Sequence, residues 1–162
     1  MEINEFEIRS VGVDVGSSTS HLVFSDLLLK RDETSRTRRF RIEDRTVIYE
    51  GRIVNTPLLD DRTLDIDRLA AFFREEYRRA GIDPGEIQSG AMIVTGESAK
   101  KQNAADIAAA LSNDAGKFVA ATAGPNFESM LAAMGSGATS RSRRNGHTLL
   151  TCDIGGGTSN VA

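Results

Sequence analysis

This chain has little of several things that would mark a function at once. It holds one cysteine, Cys152, in 162 residues. An internal disulfide framework is therefore excluded, and a reducing compartment fits. Its apolar neighbours predict a buried strand thiol. The two histidines, His21 and His147, are too isolated to suggest a metal site. No apolar run nears the length of a membrane span. The first residues, Met1 to Glu7, are acidic and carry no apolar core, so no secretory signal is expected there. The net charge of −3 supplies no general field for nucleic acid or an anionic membrane. A cytoplasmic address is expected.

What is present is ordinary for a globular domain: 40% hydrophobic and 27% charged residues. The length suits one domain with a real core. The informative stretch is Val11 to Ser20. Val11, Val13 and Val15 are β-branched and suit a strand. Asp14 stands at its end, where a carboxylate is costly to bury without a partner. Gly16-Ser17-Ser18-Thr19 then offers a turn rich in hydroxyls and N–H donors, and His21 to Asp26 follows as a second strand. Such a tip suits a phosphate chain, although many hairpins carry the same residues for structural reasons alone.

The far end repeats the grammar. Thr148 to Ile154 reads as a strand that ends in Asp153, and Gly155-Gly156-Gly157-Thr158 follows. Two such hairpins could clamp one polyphosphate between two carboxylates, with a divalent cation offsetting the crowded charge.

Between them the pattern alternates. Lys30 to Arg45 mixes seven basic with four acidic residues, which reads as a solvated loop and strand face or, alternatively, an anion or partner contact. Val47 to Val54 is a predicted third strand. Asp65 to Ala80 is the clearest helix, with Ile66, Leu69, Ala70, Phe73 and Tyr77 on one stripe, Asp65 as N-cap and Gly81 as stop. Asp83-Pro84-Gly85 is a turn. Ala91 to Thr95 is a buried strand, Ala99 to Ser112 a helix, Phe118 to Ala121 a strand. Asn126 to Met134 is a third helix with Phe127, Met130, Leu131 and Met134 inward and Glu128 on its face. Thr139 to Gly146 reads as a polar loop. These boundaries predict a first lobe over 1–138, a basic linker over 139–147 and the first strand of a second unit over 148–162. One strand cannot make a sheet, so the sequence is expected to be a piece of a longer chain, and its terminal strand is a candidate for pairing with a second copy.

This order resembles the first lobe of the actin, sugar kinase and heat-shock chaperone superfamily of ATPases. Val13 to Thr19 looks like its first phosphate motif, Asp153 to Thr158 its second, and Ala132-Ala133-Met134-Gly135 the hinge helix before it. The 139 positions between Asp14 and Asp153 accommodate one ribonuclease-H-like lobe. The resemblance implies an α/β fold with a mixed five-stranded sheet. Within the superfamily the chain is most similar to the ethanolamine ammonia-lyase reactivating factors of the EutA type. The stretches that carry this are Ser10 to Ser20, Ser89 to Lys100, Thr122 to Ser129 and Asp153 to Asn160.

The resemblance implies an ATP-dependent, chaperone-like factor that frees damaged cobalamin from inactivated ethanolamine ammonia-lyase, so that intact adenosylcobalamin can enter. It covers only the N-terminal part of such a protein, without the adenosine-binding segment, so this stretch alone is expected to be inactive as an ATPase. ATP or ADP and Mg²⁺ are the implied cofactors, the lyase the implied partner, and a bacterial microcompartment a possible address. Asp14 and Asp153 would face each other and hold Mg²⁺. Gly16, Ser17, Ser18 and Thr19 would cradle the phosphates from one side, and Gly155, Gly156, Gly157 and Thr158 from the other. Glu97 could position water, or simply stabilise a helix start; Lys100 reads as a surface lysine. A sugar kinase or phosphohydrolase, and a filament ATPase of the actin or cell-division type, are the competing readings.

Overall fold

The computed structural model describes residues 3–32, 39–61, 63–95, 98, 103, 106–107, 119–122, 124–156 and 158–162. β1 (Glu5–Val15) and β2 (Thr19–Arg31) form a long antiparallel hairpin, and β3 (Phe40–Glu50) pairs antiparallel with β2. After β4 (Val54–Asn55), β5 (Leu58–Asp60) and β6 (Thr63–Leu64) comes α1 (Ile66–Ala80). β7 (Ser89–Val94) then returns parallel to β1, and β8 (Val119–Thr122) lies parallel to β7. The sheet order is β3-β2-β1-β7-β8, with β4 added on β2. This is the mixed five-stranded sheet expected. The chain closes with α2 (Pro125–Gly135), α3 (Ala138–Asn145) and the hairpin β9 (Cys152–Ile154) and β10 (Ser159–Val161).

The core follows the alternation of β1. Val11, Val13 and Val15 point to one face and are buried together with Leu22 and Phe24 of β2. The apolar stripe of α1 covers that face, where Leu69, Ala70, Phe73 and Tyr77 are buried. Phe24 and Tyr77 meet edge to face at 4.7 Å. The Asp65 side chain accepts from the Arg68 N–H, and Gly81 stops α1 at φ 68°, a conformation that favours glycine. Both caps stand where the sequence puts them.

Several expectations need correction. The third strand, predicted over Val47–Val54, is β3 and runs from Phe40 to Glu50, so it takes in the end of the charged Lys30–Arg45 region, whose reading as a solvated strand face stands. β3 is a sheet edge, exposed along nearly all its length. Charged side chains are common on such edges and leave no buried face to read. The residues read as a polar loop after Thr139 are α3, an eight-residue helix closed by Gly146. It has no buried residue and hence no apolar stripe to betray it. Phe127, Met130 and Met134 of α2 do not face a core. They are 44, 47 and 57% exposed, and the buried residue of that helix is Ala133, which lets it approach closely. Cys152 is exposed, like the rest of the short strand β9, which pairs only with β10. The helix expected over Ala99–Ser112 falls mostly outside the described residues, as do Glu97, Lys100 and Gly157; Asp106 and Ile107 within it are helical.

Candidate functional site

The two hairpins have one design. In the first, Asp14 pairs across the ladder with His21 and Val15 with Ser20. In the second, Asp153 pairs with Asn160 and Ile154 with Ser159. Each turn closes with the same hydrogen bond. The Gly16 N–H donates to the Thr19 carbonyl at 2.9 Å, and the Gly155 N–H to the Thr158 carbonyl at 2.8 Å. Both glycine N–H groups are thus used inside their turns, which leaves Ser17, Ser18 and Gly156 at the tips.

The first turn is held from behind by hydroxyls. The Gly16 carbonyl accepts from the Thr56 hydroxyl at 2.8 Å and the Ser98 hydroxyl at 2.9 Å. With Thr56 so engaged, the fully buried Ser20 hydroxyl donates to Thr56 at 2.9 Å. The Thr56 N–H in turn donates to the Ser18 carbonyl. Buried hydroxyls that all find partners fix a loop in one shape. Thr56 is 40 residues from Gly16, and nothing local in the sequence singles it out.

The tips touch. A Cβ added to Gly156 would lie 2.7 Å from the Ser18 Cβ and 2.8 Å from its Oγ. Behind the contact, Asp14 and Asp153 line one cavity of about 280 Å³ with Val13, Ile93, Thr95, Glu128, Leu131 and Ala132. The two aspartates thus share one cavity. Glu128 is the third carboxylate there, carried in by the first turn of α2. Sequence alone left it on a helix face. The signal that could have found it is its place, an acid in the first turn of a helix that opens with Gly124-Pro125 beside a strand end.

Three carboxylates, Asp14, Glu128 and Asp153, line this cavity. Burial raises the Asp14 pKa above the ordinary carboxylate value, His21 opposes the rise, and Glu128 and Asp153 add to it. No three His, Cys, Asp or Glu side chains among the described residues are grouped so as to hold a metal ion directly. The residues fit a hydrated hard cation held partly through water, as Mg²⁺ is commonly held. Among the described residues no helix is long and apolar enough to cross a membrane.

Comparisons with known proteins bear on the fold and the family. Among solved structures, the Aquifex aeolicus PPX-GPPA enzyme superposes with a TM-score of 0.60 at 16% identity, over 96% of this chain and 48% of its own. An exopolyphosphatase from Cytophaga hutchinsonii gives 0.58 at 14% identity, over 94% and 45%. At such identities the likeness shows the fold, that of the actin-like ATPases. Two curated relatives, each named ethanolamine ammonia-lyase reactivase EutA, are much nearer in sequence. The Salmonella typhimurium protein is 40% identical and the Escherichia coli protein 39% identical, each over 161 residues and 99% of this chain. The chain spans about a third of their length, 34% in both cases. Residues 6–162 match the family model for the ethanolamine utilisation protein EutA, and the chain belongs to that family.

Proposed function

We propose that this chain supplies the phosphate and metal side of a nucleotide site in a reactivating factor for ethanolamine ammonia-lyase. The observation that carries the reading is the meeting of the two hairpin tips, Ser18 against Gly156, with Asp14 and Asp153 on one cavity behind them. ATP or ADP is the nucleotide, with its terminal phosphates between Ser17-Ser18-Thr19 and Gly155 to Thr158. Asp14 and Asp153 would hold Mg²⁺, which would supply charge neutralisation at the phosphates. Glu128 lines the cavity from α2 and orients the attacking water; Glu97 is a second candidate for that role. Hydrolysis rests on positioning and charge neutralisation. Its work is to free damaged cobalamin from the inactivated lyase so that adenosylcobalamin can bind, in the cytoplasm or at a microcompartment. The family and the names of its curated relatives support the lyase as partner. A second copy joins through the β9–β10 hairpin, where Leu150, Ile154 and Val161 are 74, 78 and 57% exposed.

The test is reactivation. The full-length protein, Mg-ATP and adenosylcobalamin are added to lyase carrying damaged cofactor, and both released cobalamin and recovered lyase activity are followed. Recovery is expected with wild type and is lost in Asp14→Ala and Asp153→Ala. Recovery that ignores ATP, or that survives both substitutions, overturns the reading. Turnover stimulated by a sugar, or polymers formed with ATP, would move the chain to the kinase or filament class. A strictly monomeric mass at high concentration would remove the second copy.

A further inference from the structure

The basic helix α3 plays no part in the nucleotide reading. It carries Arg141, Arg143 and Arg144, and no acidic residue lies within it. Among the described residues no carboxylate pairs with any of the three. The arginines of α1 behave otherwise: Arg68 is bridged to Asp65, and Arg78 and Arg79 to Glu75. Three unpaired guanidinium groups on two turns of helix make a concentrated positive field. It stands out on a chain whose net charge is −3.

The field borders an apolar floor. Arg143 and Arg144 line a groove of about 690 Å³ together with Thr139, Ser140 and the α2 residues Met130 and Met134. The two methionines are one helical turn apart and about half exposed. Methionine is unbranched and polarisable, and surfaces built of it accept apolar anchors of varied shape. A groove with a methionine floor and an arginine rim is the complement of a helix with an apolar stripe flanked by carboxylates. Nucleic acid fits less well, because the groove is lined by no aromatic ring on which bases could stack.

We infer that the α2–α3 groove docks an acidic amphipathic helix of a partner protein. Met130 and Met134 take its apolar anchors, and Arg143 and Arg144 pair with its carboxylates. α2 also carries Glu128 into the carboxylate cavity, so the groove and the cavity share one rigid element. The inference stands on α3 and the methionines and does not need the nucleotide reading.

The probe is a fluorescein-labelled helical peptide of about 15 residues with Leu on one face and Glu on the other, titrated with the full chain by anisotropy. Saturable binding that weakens with salt is expected. The double variant Arg143→Glu, Arg144→Glu should weaken it by about tenfold or more. The double variant Met130→Gln, Met134→Gln should also weaken it. The same peptide with Gln for every Glu should bind poorly, and that arm needs no protein variant to fold. The proposal is overturned if the Glu peptide does not bind, if the Gln peptide binds equally, or if either double variant, shown folded by circular dichroism, binds as wild type does. Displacement of the peptide by a short oligonucleotide at equal charge concentration also overturns it, since the groove would then take any polyanion.

Discussion

Gly156 sits so close to Ser18 that no side chain fits between them: a Cβ there would stand 2.7 Å from the Ser18 Cβ. Gly155, one residue earlier, has room, with its nearest neighbour, the Thr158 carbonyl, at an ordinary 3.5 Å. The two glycines look alike in sequence and should behave differently. Gly156→Ala forces the tips apart. The overpacking cost is roughly 1–2 kcal/mol, which at this chain length lowers the thermal midpoint by about 2–8 °C. Gly155→Ala should leave it within about 1 °C by the same relation. Scanning calorimetry of both variants reads this directly. Equal shifts would mean that the tips are not held together in solution.

Asp14 is strained by its surroundings. Burial first, then Glu128 and Asp153, raise its pKa, and His21 only partly compensates. For a carboxyl group whose folded pKa exceeds the unfolded one, the folded state binds the proton more tightly. The ionised form therefore costs stability above the folded pKa, and the cost vanishes below the unfolded pKa near 3.8. Asp14→Asn should consequently raise the thermal midpoint at pH 7 without Mg²⁺ or nucleotide, and the gain should fade as pH falls towards 3.8. The same variant should lose nucleotide-dependent activity. A destabilised Asp14→Asn protein at pH 7 would show that the carboxylate is already compensated.

How much of this was legible follows from where each signal resides. The hairpin tips were legible because their chemistry is local: Asp, then small turn residues, then a strand, written twice. α1 was legible because one face meets the core and both caps are adjacent in sequence. Thr56 and Glu128 were not, because each acquires its role from a residue far away in the chain. α3 was missed because periodicity needs a buried face, and it has none. Glu76 is a further residue that the apolar stripe does not mark. It lies among the buried residues of α1, where a glutamate would ordinarily be assigned to solvent.

Glu76 is fully buried and fully paired. It accepts from the Tyr49 hydroxyl at 2.9 Å, the Arg52 N–H at 2.9 Å and the Arg52 Nε at 2.7 Å, and Arg52 Nη2 stands 2.6 Å from it. Burial opposes its ionisation, yet the Arg52 backbone and guanidinium and the Tyr49 hydroxyl outweigh it and hold the pKa below the ordinary 4.5. The sign is that of a depressed acid: its contribution is present above about 4.5 and is lost as pH falls through the lower folded value. Glu76→Ala should cost about 3 kcal/mol, the low end for a broken buried pair, because Arg52 is 45% exposed and can rehydrate. Arg52→Ala should cost at least as much, since it leaves the buried carboxylate behind. Urea unfolding at pH 7 and pH 3 measures both, and the penalties should shrink at pH 3.

Glu128 gives the sharpest division between binding and chemistry. It lines the cavity with Asp14 and Asp153, and its charge adds to the rise in the Asp14 pKa. Glu128→Gln keeps the size and removes the charge. Asp14 should then ionise at lower pH, and Mg-nucleotide should still bind, because two aspartates remain to hold the ion. Turnover by the full chain should fall about 10²–10⁴-fold if Glu128 orients or deprotonates water. The comparison is with Glu97→Gln, assayed identically by phosphate release and by nucleotide binding. Loss of binding and turnover together would make Glu128 a ligand-holding residue. Loss of turnover in Glu97→Gln alone would return the water-positioning role to Glu97.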